Sequence, residues 1–389
     1  MRRLRISVVL LVAIAAGQAA GATIRVMKDG SGDFTVIQAA LDVAAAGDTI
    51  LIGPGEYLEH STVRLPGWSW DIESYANVLV DGLTIIGAGS DQTFIGPSGY
   101  SGSYSSGSPK VVTYREGGDL AMTAVCLRNS HSGIHMNGRL FMDDCEFADN
   151  YINLSWSPAG SGGWIRNCQF DVWTPSSPIA IDIVNQGGAS DILVEDCTVR
   201  HALTLIDGVQ GITLRGCELT GTSTALHVYG ISHVYVEDCR IADVATLGIL
   251  LAMGSGSTCE ITDSEIVSAQ AAIKCDQIGG RFIVTGSRLE GHTFAVLIAE
   301  GGSGACQIMN SDLLRTSGHF VRCGLGGTSV THDLRNNYWG TTDETTIRSW
   351  ILDREDDPAI AATVLYSPFA GQSVPTEATS WGDLKALFR

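Results

Sequence analysis

The sequence predicts an all-β solenoid, a single-stranded right-handed parallel β-helix, and three observations carry that prediction. A short frame recurs about every 24 residues, apolar and variable positions alternate within it, and 46 glycines stand against ten prolines in 389 residues. A repeat of this length is too short for a helical pair and suits one coil of three short strands. Period-two alternation buries one face of each strand. Charged residues make up only 17% and apolar types 44%, which excludes a disordered chain. The formal charge of −18 excludes nucleic acid and anionic lipid as partners.

The elements follow in chain order. Arg2, Arg3 and Arg5 precede an apolar run from Ile6 to Ala16, and Ala20-Gly21-Ala22 offers a small-x-small cleavage site. Residues 1–22 therefore read as a signal peptide, which places the mature chain outside the cytoplasm, secreted, periplasmic or at the cell surface, with no further membrane span. Loss of the three arginines would make the mature chain more negative by three charges.

Residues 23–65 read as an N-terminal cap and first coil. Lys28 to Asp33 is a turn run, and Thr35-Val36-Ile37-Gln38 fits a capping box opening a helix through Ala46 that Gly47-Asp48 stops. Thr49–Ile52 is then the first strand and Gly53-Pro54-Gly55 its turn. Pro66 to Val111 breaks the periodicity and is expected to be a surface loop or the wall of a groove, carrying Trp68, Trp70 and Tyr75.

The β-helix proper, with its closing segment, is expected over 66–371. Phe141-Met142-Asp143-Asp144-Cys145-Glu146-Phe147 is echoed at Cys168, Cys197, Cys217, Cys239, Ser264, Ser287 and Ser311, and the series closes at Asn336-Asn337. From Cys145 to Asn337 eight steps cover 192 residues. The position before the Cys/Ser column holds Asp144, Asn167, Asp196, Gly216, Asp238, Asp263, Gly286, Asn310 and Asn336, residue types that tolerate a left-handed backbone at a sharp bend. A file of carboxylates holding Ca²⁺ is the competing reading of that column, and Ca²⁺ is the one cofactor it leaves room for. The Cys/Ser column itself asks for a small side chain, so most of the ten cysteines are expected to be free and buried. Cys259 with Cys306, and Cys275 with Cys323, fall two coils apart, about 9.6 Å at ~4.8 Å per coil and beyond disulfide reach. No Cys/His set has zinc-ligand spacing.

A second strand recurs about ten residues after the first. Its outward column reads His135, Asn153, Asp182, Thr204, His227, Leu250, Lys274, Leu297 and Arg322, with Trp156, Asn185 and Asp207 just beyond and Tyr229 between the lines. A polysaccharide lying across coils would meet hydrogen-bonding groups at the strand spacing and stack on Trp or Tyr. His135, Asn153, Trp156, Asp182, Asn185, Asp207, His227 and Tyr229 are the candidate ligand-binding residues, and no metal ligands are assigned. Asp182 and His227 stand two coils apart, about 9.6 Å, outside direct proton transfer. The longest coil, Cys168 to Cys197, carries Trp173 in an inserted turn, a candidate groove rim. Residues 372–389 read as a polar linker and a C-terminal amphipathic helix with apolar residues at 381, 384, 387 and 388, which docks on the solenoid end or serves as a partner tag.

Asp29-Gly30-Ser31-Gly32-Asp33-Phe34, Ile37-Gln38-Ala39-Ala40, Gly47-Asp48-Thr49-Ile50 and Pro54-Gly55-Glu56-Tyr57 resemble the opening of pectinesterases and related right-handed parallel β-helix proteins of the pectin-lyase-like superfamily. Asn336-Asn337-Tyr338-Trp339-Gly340, the segment from Ile347 to Asp357 and Tyr366-Ser367-Pro368-Phe369 are similar to the closing segment of secreted bacterial β-helix repeat proteins. The resemblance implies the fold, and it implies polysaccharide as the substrate class. It carries over no catalytic residue: the strand and Arg-Pro-Trp motifs of pectinesterases, the Asn-Thr-Asp and Gly-His-Gly of polygalacturonases and the Asp-Pro-His-Asp of alginate epimerases are missing. Two functions are expected. The first is binding of an extended polysaccharide or an extracellular partner through the side face. The second is a lyase, esterase or hydrolase activity on polysaccharide from a non-standard site.

Overall fold

The structure, a computed structural model, describes residues 21–373 apart from 65–70, 100–109, 115–117, 159–160, 173–178, 185–189, 222, 299–303 and 326–328. Residues 1–20 of the expected signal peptide, Trp173, Asn185 and the expected C-terminal amphipathic helix lie outside the described residues.

The chain winds as a parallel β-solenoid of about 11 turns. Each coil contributes a strand to a first sheet, a three- to five-residue strand to a second, and a strand to a third. Cys126–Arg128, for example, pairs in register with Glu146–Ala148, which in turn pairs with Gln169–Asp171 in the second sheet. The long strand Ser132–Asp143 runs through a corner, serving the third sheet with its first half and the first sheet with its second.

The turn between the first and second sheets explains its own residue types. Asp144, Asn167, Asp196, Asp238, Asp263, Asn310 and Asn336 all adopt positive φ between 50° and 64°, and Gly216 and Gly286 take the same conformation. Gly216 is required for a second reason, since a Cβ there would stand 2.6 Å from Oδ1 of Asp196 on the preceding coil.

Behind this turn lies the small-residue column. All ten cysteines are free and buried. Cys259 and Cys306 each pair with Phe282 from opposite sides, two coils apart as expected. Where Ser replaces Cys, the hydroxyl of one coil accepts the backbone N–H of the coil before it: Cys239 N–H donates to Ser264, Ser264 to Ser287 and Ser287 to Ser311, each at 3.1 Å. Asn337 ends the ladder, accepting from Ser311 N–H at 2.9 Å.

Outside the same turn run two ladders of alternating charge. Arg166, Glu195, Arg215 and Glu237 form one, at 2.9 to 3.5 Å; Glu218, Arg240, Glu265 and Arg288 form the other, at 3.0 to 3.8 Å. Being exposed, each pair contributes well under ~1 kcal/mol. Their effect is on register, because a slip by one coil would set like charges opposite each other.

The N-terminal cap departs from expectation. The helix α1 is only Ile37–Leu41, with Val36 at its N-cap and no side-chain cap. Gln38 does not close a capping box; its Oε1 accepts from Asn77 N–H at 2.9 Å and its Nε2 donates to Asp42 at 2.8 Å. That amide ties the helix to the first strand of the third sheet, and burial of Ile37, Ala40 and Leu41 closes the core. Asp48 ends the segment as expected, accepting from Ala22 and Ala45 N–H at 2.7 and 2.8 Å.

The stretch from Pro66 to Val111 is mostly solenoid rather than excursion. Ile72–Val78, Leu83–Ile86 and Thr93–Ile95 are strands of one coil, pairing onward with Lys110–Tyr114, Gly118–Thr123 and Cys126–Arg128. Its repeat frame lacks the Cys/Ser marker, which hides it from a motif search. At the other end, Trp339, Ile347, Ile351 and Ile360 are buried, and α2 (Glu344–Ser349) is capped by Asp343, which accepts from Thr346 N–H.

Candidate functional site

At the corner from the second sheet to the third, two consecutive residues are buried: Gly133-Ile134, Asn153-Leu154, Ala180-Ile181, Ala225-Leu226, Gly248-Ile249 and Ala272-Ile273. Alternation restarts after that pair, and the register then gives an outward column of His135, Ser155, Asp182, Leu205, His227, Leu250, Lys274, Leu297 and Arg322. Two residues further along the strands, Asp207, Tyr229 and Ala252 form a second outward column.

Three expected members of this face are elsewhere. Asn153 is fully buried at the corner, accepting from Asn150 Nδ2 at 3.1 Å; Ser155 takes the outward place. Trp156 is 1% exposed, its indole inside the coil and its Nε1 donating to the Gly138 carbonyl at 2.8 Å. It is core rather than a stacking platform, because the strand has an odd phase once Asn153 and Leu154 have both turned inward. Thr204 is also buried, since a bulge between Ile179 and Ile181 shifts its pairing to Ile181 and moves Leu205 opposite Asp182.

Among the remaining candidates, Asp182, Asp207, His227 and Tyr229 gather on three successive coils. Asp207 is directly opposite Tyr229, and Leu205 separates Asp182 from His227 in the column, so the latter two stand two coils apart as expected. Asp182 is half-buried and its Oδ1 has no hydrogen-bond partner among the described residues. Burial raises its carboxyl above the usual range, and the nearby Asp207 carboxylate raises it further. Burial lowers the His227 imidazole, an effect that Asp276 and Asp207 oppose. The ring of Tyr229, 51% exposed, meets that imidazole edge to face at 6.1 Å. Asp276 bulges out of its strand and holds Lys274 at 2.6 Å, so that ammonium is already paired.

Sequence reasoning missed Asp276, whose bulge breaks the alternation on which the reading relied. It also missed Leu205, which with the expected Leu250 gives the face an apolar floor between its polar groups. His135 is on the face as expected, four coils from His227, with its imidazole pushed down to about 4 by burial and by Lys110 and His131.

Chemically, the strip offers carboxyl oxygens, one with an increased protonated population, beside an imidazole and an exposed phenol ring. These groups donate and accept hydrogen bonds to hydroxyls and present a flat face to a pyranose ring. Among the described residues no three His, Cys, Asp or Glu side chains are placed to hold a metal ion, and no helix is long and apolar enough to cross a membrane. A furrow of about 430 Å³ over the turn column is walled by the ion-pair ladder, Glu195, Arg215 and Glu237, and its charges already serve each other.

Comparison with known proteins agrees with the architecture. Residues 160–313 match the family model described as the right-handed beta helix region. The catalytic unit of a thermostable GH87 α-1,3-glucanase from Streptomyces thermodiastaticus is similar over 93% of this chain and 71% of its own, at 12% identity and a TM-score of 0.52. The A-module of a mannuronan C-5 epimerase from Azotobacter vinelandii is similar over 87% of this chain and 95% of its own, at 14% identity and a TM-score of 0.46. A pectate lyase is similar over 92% and 80%, at 11% identity and a TM-score of 0.39. No curated protein matches the sequence. Such likenesses carry the fold and not the chemistry.

Proposed function

We propose that this chain, a right-handed parallel β-helix with structural neighbours in the pectin-lyase-like superfamily, binds an extended polysaccharide along the outer face of its third sheet. The observation that carries the reading is the half-buried Asp182 carboxyl, whose Oδ1 has no hydrogen-bond partner among the described residues, with Asp207 one coil on and the exposed Tyr229 ring two coils on. An acid held without a partner lowers stability, and such groups collect at binding and catalytic sites. A glycan hydroxyl donating to that oxygen would supply what the fold withholds, with Tyr229 stacking on the sugar and Leu205 and Leu250 below it. The coil spacing repeats these contacts along the chain axis. The leader supports export, so the ligand would be extracellular or periplasmic; amino-terminal sequencing of the secreted protein, starting after residue 22, tests that step.

A second reading, glycan cleavage, is favoured by one specific observation. Burial and the Asp207 carboxylate raise the Asp182 carboxyl above its usual value, and Asp207 lies one coil on, which suits an acid and a base acting on one glycosidic bond.

Binding to a glycan array, run beside reducing-end and unsaturated-product assays, separates the two. Retention of a glycan without product, abolished by Asp182→Asn, supports binding. Product formation that Asp182→Asn eliminates supports cleavage. Failure of every glycan to bind, or binding unchanged in Asp182→Asn, removes the proposal.

A further inference from the structure

The outer face of the third sheet carries an apolar column beside its acids and phenol ring. The column stands at the start of each strand: Ile152 pairs with Ile179 and Ile179 with Leu203, and further along Leu247 pairs with Ala271 and Ala271 with Phe294. Two facts place these side chains outside the coil. Ile152, Ile179 and Leu203 are partly exposed, and none is packed against the core inside the solenoid. Leu247, Ala271 and Phe294 form a small cluster of their own, apart from that core, with Leu250 and Leu297 packed against it. Thr224, which pairs with Leu247, interrupts the row. From the coil of Ile152 to that of Phe294 there are six coil steps, about 29 Å at ~4.8 Å per coil.

Parallel sheets are ordinarily covered on both faces, and apolar side chains in a row on an outer surface mark a contact. Ile179 precedes Asp182 by three residues and Leu203 precedes Asp207 by four, which puts the row about 10 to 13 Å from the acids along the strands. A pyranose lying against the acids falls short of the row. A methyl attached directly to that ring stays beside it, whereas an ester carries its methyl outward and closes the gap. Charge selects further. The chain is −18 overall, Asp182 and Asp207 stand on adjacent coils, and Lys274 of the central column is held by Asp276, so a polyanion meets repulsion along this face.

Resting on the glycan reading, we propose that the polysaccharide held by this face is a neutral one bearing O-acyl groups, its ester methyls seated on Ile152, Ile179 and Leu203 while its hydroxyls meet Asp182 and Asp207. Successive coils offer an apolar seat beside the polar line, so esters spaced along the polymer are taken up at the coil spacing, and a bare polymer leaves the row wet. Each seated methyl contributes about fourfold in affinity, the equivalent of the ~0.8 kcal/mol of one buried carbon.

Paired polysaccharides test this: acetylated xylan and acetylated glucomannan against the same polymers after alkaline deacetylation, with polygalacturonate as the anionic comparison, each titrated against the full chain. The expected result is binding at least tenfold tighter to the acetylated member of a pair, and none to polygalacturonate. Ile179→Thr and Leu203→Thr, at melting temperatures equal to the wild type's, should weaken only the acetylated member and so bring the pair together, while Asp182→Asn should weaken both. Ile152→Thr carries the same test if either variant melts early. Equal binding of acetylated and bare polymers, with Asp182→Asn still weakening both, overturns the acyl proposal and leaves the glycan reading standing. Tighter binding of polygalacturonate overturns it as well, as does a dimer that Ile179→Thr dissociates, since a second copy of the chain would then cover the row. Absence of binding to every pair and to a neutral-glycan array removes the acyl proposal together with the reading beneath it.

Discussion

The Oδ1 of Asp207 lies 2.4 Å from where a Cβ on Gly230, one coil further along the solenoid, would stand. Gly230 also has φ of +67°, so acid and glycine form one unit across two coils. Gly230→Ala should therefore act at the site and on the fold together. The expected cost is about 1–2 kcal/mol from the left-handed backbone, with a displaced Asp207 and weaker glycan binding. Chemical denaturation and glycan affinity check it; a variant that keeps both unchanged would show that Asp207 can move freely.

Asp182→Asn should separate stability from function. The carboxyl is raised in the folded protein, so its charged form lowers stability as pH rises past the unfolded value, and the loss is complete at neutral pH. Replacing it by an amide should leave the melting temperature at pH 7 unchanged or higher while ligand binding falls. Melting curves at pH 4 and pH 7 decide this, since the variant's advantage must be larger at pH 7.

Trp156→Ala should unfold the protein readily, at a cost of roughly 3–5 kcal/mol typical of an emptied aromatic core position, because the indole is buried and its N–H is bonded to Gly138. Urea midpoints measure the cost. A loss below about 1 kcal/mol would mean that the side chain is not part of the core.

His332 is 1% exposed in the last coil, with Nδ1 accepting from Cys306 N–H at 3.1 Å and Nε2 without a partner. Burial pushes the imidazole down to about 4 against its usual 6.5. A lowered histidine contributes stability that is complete above pH 6.5 and is lost as pH falls toward 4, on the order of 3 kcal/mol. His332→Gln should thus be the less stable protein at pH 7.5, with the gap narrowing by pH 4.5. A gap independent of pH would disprove the assignment.

Cys239→Ser should be tolerated within about 1 kcal/mol, because Ser264, Ser287 and Ser311 already occupy the same column and bond to the coil before them. Cys239→Leu should cost more through overpacking. Alkylation of the denatured, unreduced protein, followed by mass spectrometry, should find all ten thiols modified.

The sequence by itself determined the period, the parallel stacking, the left-handed turn at Asp144 to Asn336, the Cys/Ser column and the absence of cysteine pairs at Cys259 and Cys306. Each of these rests on spacing or on the intrinsic conformational range of Asp, Asn and Gly, which are local properties of the chain. Only the tertiary structure decided which side of the third sheet each residue occupies. The corner turns two successive residues inward, Asn153 with Leu154 and Ala180 with Ile181, and a bulge at Ile179 shifts the pairing of Thr204. Alternation is blind to such resets, and a slip of one residue moves a side chain to the opposite face. For that reason Trp156, expected outside, is core, while Ser155 and Leu205 took outward places.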